Sequence, residues 1–124
     1  MVNKVILLGR LTADPDVRAL PSGSHVASMR LATNVYAGKE EDGTRKELTE
    51  FHSLVAFDRQ AELAGDLLRS GRLVYVEGRL RHRSWETGEG QKRYSTEVVV
   101  STFQLVGPKP DTAREKPPEL APAS

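Results

Sequence analysis

The 124-residue chain predicts an all-β fold: a five-stranded barrel with one helix between its third and fourth strands, followed by a tail that packs against nothing. Three observations carry this. Five stretches alternate apolar and polar residues with period two, as strands with one buried face do. One stretch, Asp58 to Ser70, shifts to helical spacing. From Gly107 the composition changes, and five of the seven prolines fall in the last seventeen residues.

The first strand covers positions 2–11, with Val5 and Leu7 on one parity and Lys4, Ile6, Leu8 and Arg10 on the other. Asp14-Pro-Asp16 breaks the run, and Pro21-Ser-Gly-Ser24 is a turn. The second strand runs from His25 to Val35, with Ala27, Met29 and Leu31 inward and Ser28 and Arg30 outward. Gly38 to Lys46 is polar and reads as a flexible loop. The third strand, Thr49 to Phe57, puts Phe51, Ser53, Val55 and Phe57 on one parity and His52, Leu54 and Ala56 on the other. In the helix Asp58 suits the N-cap, Gly71 the residue past the C-terminus, and Ala61, Ala64, Leu67 and Leu68 form one apolar stripe. The fourth strand, Leu73 to Trp85, turns at Thr87-Gly-Glu-Gly90 into the fifth, Arg93 to about Val106. Residues 1–106 therefore make one domain and 107–124 a flexible Pro-rich tail. Five strands with a helix after the third is the plan of an OB-fold, a small barrel whose exposed sheet face and loops bind oligonucleotides or oligosaccharides.

The fourth strand is the most informative for function. Val74, Val76, Gly78 and Leu80 on one parity ask for a core, whereas Tyr75, Glu77, Arg79, Arg81, Arg83 and Trp85 on the other form a cationic row with a ring at each end. Guanidinium groups suit phosphates and flat rings suit unpaired bases. Arginine also blunts exposed sheet edges, so the row alone does not decide. Phe51 and Phe57 share a face about 20 Å apart and suit a core as well as a stacking platform. Trp85, the single tryptophan, sits beside Arg83 and Ser84 before a polar turn, which favours a binding role. Net charge is only +1, but it is segregated. Residues 69–83 hold five arginines against one glutamate, net +4, and residues 40–50 hold two basic against five acidic side chains, net −3.

Other functions find little support. With no cysteine there is no disulfide, thiol catalysis or thiolate metal site. The three histidines lack ligand spacing, Gly88-Glu-Gly90 lacks the lysine and helix of a phosphate loop, and no catalytic constellation stands out. Neither an enzyme, a metal site nor a cofactor is expected. The opening apolar run is too short for a signal peptide and no stretch reaches membrane-span length, so a cytoplasmic location without membrane partners is expected.

Seven runs, in order, resemble the bacterial-type single-stranded DNA-binding proteins over residues 1 to about 106: Val2-Asn-Lys-Val-Ile-Leu-Leu-Gly9, Asp14-Pro-Asp-Val-Arg18, Leu31-Ala-Thr33, Thr49-Glu-Phe-His52, Leu68-Arg-Ser-Gly71, Val74-Tyr-Val-Glu-Gly78 and Arg93-Tyr-Ser-Thr-Glu-Val-Val-Val100. The resemblance implies an OB-fold homotetramer, nucleoid-associated, that binds single-stranded DNA in replication, recombination and repair. It implies base stacking on Phe51, Phe57 and Trp85, phosphate contacts from Lys4, Arg81, Arg83 and Arg93, and a subunit interface at His52. The residue pattern adds Tyr75 to the binding set. Two departures stand out. Where the family often has a further tryptophan this chain has Ala37, and the neighbouring Tyr36 is expected on the opposite face of an extended strand. The family's acidic tip, which recruits other proteins, is replaced by Leu120-Ala-Pro-Ala-Ser124. Such recruitment is therefore not expected, whether the chain is a paralogue or truncated. The alternative reading is an OB-fold protein-interaction module of a replication-restart or DNA-uptake assembly, and RNA is a further possible ligand class for the same fold.

Overall fold

A computed structural model describes residues 1–108, so the tail expected from Gly107 lies almost wholly outside the described residues. The elements run β1 (Val5–Leu11), β2 (Asp16–Ala19), β3 (His25–Lys39), β4 (Arg45–Phe57), α1 (Asp58–Leu67), β5 (Leu73–Glu86) and β6 (Lys92–Leu105). The five long strands pair in the order β1–β5–β6–β4–β3 and the ring closes where Arg10 and Leu11 of β1 face Ala32 and Leu31 of β3. All neighbours are antiparallel except β4 and β6, which meet in parallel at Leu54↔Val98 and Val55↔Val99. This is the five-stranded OB-fold barrel that the sequence predicts.

The interior is the inward parity of each strand: Leu11 of β1, Ala27, Met29 and Leu31 of β3, Leu54 and Ala56 of β4, Val74 and Val76 of β5, and Val98 and Val100 of β6. Burying a Val- or Leu-sized side chain contributes about 1.5–3 kcal/mol each, which makes this set the main source of stability. Ala61, Ala64 and Leu68 close one end of it. Two glycines let the barrel close. A Cβ on Gly9 would stand 2.3 Å from the Ala32 carbonyl oxygen, and one on Gly78 2.2 Å from that of Val99. Asp14 Oδ1 accepts from the Ser70 backbone N–H at 2.8 Å, tying the turn after β1 to the turn after the helix.

Several details depart from the sequence expectation. A sixth strand, β2, pairs with the first half of β3 as a short exposed edge; its four residues are too few and too solvated to show alternation. The helix stops at Leu67, and Leu68 is already extended. Leu68 therefore folds inward while Leu67 faces out, and Gly71 takes its positive φ (87°) in the following turn rather than as the helix stop. Asp58 makes no side-chain cap; it lies in the left-handed region at φ 54°, which Asp tolerates better than most residues. The expected loop at 38–46 is shorter than predicted, because β3 runs on to Lys39 and β4 begins at Arg45. Only residues 40–44 turn, closed by Glu40 N–H to Thr44 O (2.8 Å), by Asp42 Oδ1 accepting from the Thr44 hydroxyl (2.7 Å) and N–H (3.0 Å), and by Gly43 at φ 93°. Leu80 is exposed rather than in the core, because β1 accompanies β5 only as far as Gly78.

Candidate nucleic-acid interface

Beyond the barrel two ribbons extend in which the strands pair only with each other: residues 33–50 of β3 and β4, and 79–96 of β5 and β6. The outward parity runs continuously from the barrel wall onto both. Cross-strand pairing puts Ala32 opposite Phe51 and Tyr36 opposite Glu47, so Arg30, Tyr36, Phe51 and Phe57 share this face. On the other ribbon Arg81 faces Glu97, Arg83 faces Ser95 and Trp85 faces Arg93. Val55 and Val99, paired with each other across the parallel join, are buried but outside the core cluster, and give the face an apolar floor.

Four rings on this face each lie under a guanidinium. Arg45 stands 4.6 Å from the Tyr36 ring centre, Arg30 4.9 Å from Phe51, Arg81 5.4 Å from Phe57 and Arg83 5.4 Å from Trp85. All fall within the roughly 6 Å reach of a cation–π contact. Phe51 is 52% and Trp85 44% exposed, which is unusual for large rings without a partner. Phe57 is half-buried, with Arg81 above it. Tyr36 shares the face of Phe51, since its partner Glu47 and Phe51 have the same parity on β4.

The arginines are less free than a linear count suggests. Arg69 donates to the Gly65 and Leu68 carbonyls, and Arg72 is buried with one N–H on the Gly107 carbonyl, so neither belongs to the face. The cationic patch is therefore Arg79, Arg81 and Arg83, joined from the next strand by Arg93. Glu97, a residue that the sequence reading missed, sits among them. Its Oε1 accepts from Arg81 Nε (3.1 Å) and Nη2 (2.5 Å) and forms an ion pair with Arg83 Nε (2.8 Å). It shares parity with Arg93 and Ser95, a legible signal, but only the register shows that it meets Arg81.

The far end of the same face is held by Glu77. It accepts from the Tyr75 hydroxyl (2.5 Å) and pairs with Lys4 (3.0 Å). The Tyr75 hydroxyl, with Lys4 second, lowers the Glu77 pKa, and the same hydrogen bond raises that of Tyr75. Tyr75 is ten residues from Trp85, roughly 33 Å along the strand, so the two rings do not form one platform. His52 points away from Phe51 and shares a 2.8 Å hydrogen bond with the Thr33 hydroxyl. Among the described residues no cluster of three or more His, Cys, Asp or Glu side chains could hold a metal, and no helix is long and apolar enough to cross a membrane.

A closed barrel with one open face of paired rings and guanidiniums defines an OB-fold domain built to bind an extended polyanion with unpaired bases. Residues 2–106 match the model of the single-strand binding protein family, and the chain belongs to that family. Two solved structures show the same fold. The Plasmodium falciparum SSB complex with ssDNA is 33% identical at a TM-score of 0.77, over 86% of this chain and 97% of that one. A deletion mutant of the single-stranded DNA binding protein from Thermus aquaticus is 35% identical at a TM-score of 0.73, over 87% of this chain and 52% of that longer one.

Proposed function

We propose that this protein binds and protects single-stranded DNA without sequence preference, as a non-enzymatic component of replication, recombination and repair. The observation that carries the reading is the row of four exposed or half-buried rings on one barrel face, each paired with an arginine. Bases stack on Tyr36, Phe51, Phe57 and Trp85, and stacking tolerates any sequence because every base has a π-face. Arg81, Arg83 and Arg93 take phosphates from their free edges. Lys4 and Tyr75, already bound to Glu77 and beside Ile6 and Leu8 of β1, are the weakest members of the set. The binding domain is residues 1–106.

The working form is a homotetramer. Ile6 (57% exposed) and Leu8 (53% exposed) stand on the outside of β1, an apolar strip that one chain leaves uncovered and a second copy would cover. His52 lies at a subunit contact in this arrangement, and the assembly acts in the cytoplasm on the nucleoid.

Titration with oligo-dT at low salt, followed by Trp85 fluorescence, tests the binding. Quenching is expected, with affinity falling as salt rises; an unchanged signal at low salt overturns the reading. Native mass measurement with and without the oligomer is expected to give four chains, and a monomer would remove the tetramer.

A further inference from the structure

Glu97 stands in the middle of the proposed track, and its charge has the wrong sign for a polyanion. It is not an incidental surface acid: the residue is 8% exposed, and one carboxylate oxygen holds both Arg81 and Arg83. Those two arginines are also the ones over Phe57 and Trp85, so a single carboxylate fixes two of the four ring–guanidinium pairs. The trio carries a net +1 where two free arginines would carry +2. Arg81 Nη1 and both Arg83 terminal nitrogens take no part in these bonds and can still meet a phosphate. A phosphate that does so lies close to a carboxylate too buried for salt to screen well.

We propose that Glu97 is a positioning residue that restrains the grip on DNA. It holds Arg81 and Arg83 over the rings and competes with phosphate for them. Binding then leans on stacking, and the strand is released more readily than two free arginines would allow. This inference rests on the outer face being the DNA surface.

Glu97→Gln keeps the shape and an acceptor oxygen and removes the charge. In the oligo-dT titration it is expected to bind about tenfold more tightly at low salt, with the slope of log K against log salt steeper by about 0.7 for each phosphate contact released to the arginines. The advantage shrinks as salt rises. In an Arg81→Gln, Arg83→Gln background the same substitution is expected to give no gain. Glu97→Asp, whose shorter carboxylate reaches only one guanidinium, shifts both quantities in the same direction by less, and serves if the glutamine variant fails to fold. Weaker or unchanged affinity, an unchanged slope, or an equal gain in the double-arginine background overturns the proposal. If wild type itself does not bind oligo-dT, the DNA reading fails; if wild type binds and the folded Glu97 variants bind no better, only the role of Glu97 fails.

Discussion

The two ribbons that leave the barrel share one architecture and differ in charge. Each is a two-stranded extension closed by a glycine-containing turn, and each carries a ring with a guanidinium over it. Residues 33–50 hold three basic against five acidic side chains, net −2, whereas 79–96 hold five basic against two acidic, net +3. On the first ribbon Tyr36 and Arg45 stand in an acidic surround. On the second, Trp85 and Arg83 stand in a basic one, moderated by Glu97. Stacking needs only a ring face, so both arms can contribute it. Long-range attraction needs excess positive charge, so one arm supplies it. On the proposed reading, a DNA strand engaging both arms is held by a salt-insensitive contact at one end and a salt-sensitive one at the other.

That contrast can be broken at the ring of the basic arm first. Trp85→Ala is expected to weaken oligo-dT binding by about 1–3 kcal/mol with little change in salt slope, read by competition against a labelled oligomer. Phe51→Ala on the barrel wall is expected to behave alike, and unchanged affinity in both variants would sink the face assignment. The anchoring of the basic arm is tested by Gly78→Ala. A Cβ there runs into the Val99 carbonyl oxygen, so a loss of about 1–3 kcal/mol in denaturant unfolding is expected. Wild-type stability would mean that the crossing at the base of the arm is looser than drawn. Tyr36→Ala sharpens the comparison: a loss of about 1 kcal/mol, the low end for one stacked base, is expected at both low and high salt. Arg93→Gln, by contrast, should mainly flatten the salt slope, by about 0.7.

The smallest effect belongs to the turn of the acidic arm. Hydrogen bonds from the Thr44 N–H, and second from its hydroxyl, hold the Asp42 pKa below its ordinary 3.8. A carboxylate depressed in the folded state stabilises above the unfolded pKa, and the contribution is lost as pH falls through the folded one. Wild type is therefore expected to exceed Asp42→Ala slightly in melting temperature at neutral pH, with the gap closing below pH 3.8; a gap that widens in acid would contradict the turn geometry.

Much of this molecule was legible in order along the chain. Period-two alternation located the five long strands and assigned Phe51 and Phe57, and Arg81, Arg83 and Trp85, to common faces, because side-chain parity is a local property of a strand. It failed where no alternation exists to read. The four solvated residues of β2 are an example, and so is the polar stretch 38–46, whose turn is set by Asp42, Gly43 and Thr44 rather than by apolar burial. It also failed where local spacing could not say where packing stops, as at Leu67, outside the core at the helix end, and at Leu80, beyond the last partner of β1.

The sequence alone determined the fold class, the inward and outward parity of each long strand, and the chemistry of the fourth strand, since these depend on residues close together in the chain. Only the tertiary structure decided which outward residues meet. Register between strands set Tyr36 opposite Glu47 on the Phe51 face and Glu97 against Arg81 and Arg83, while carbonyls at the helix end and at Gly107 took Arg69 and Arg72 out of the patch. A shift of one residue in any of those pairings reverses every face, so parity within a strand cannot specify contacts between strands.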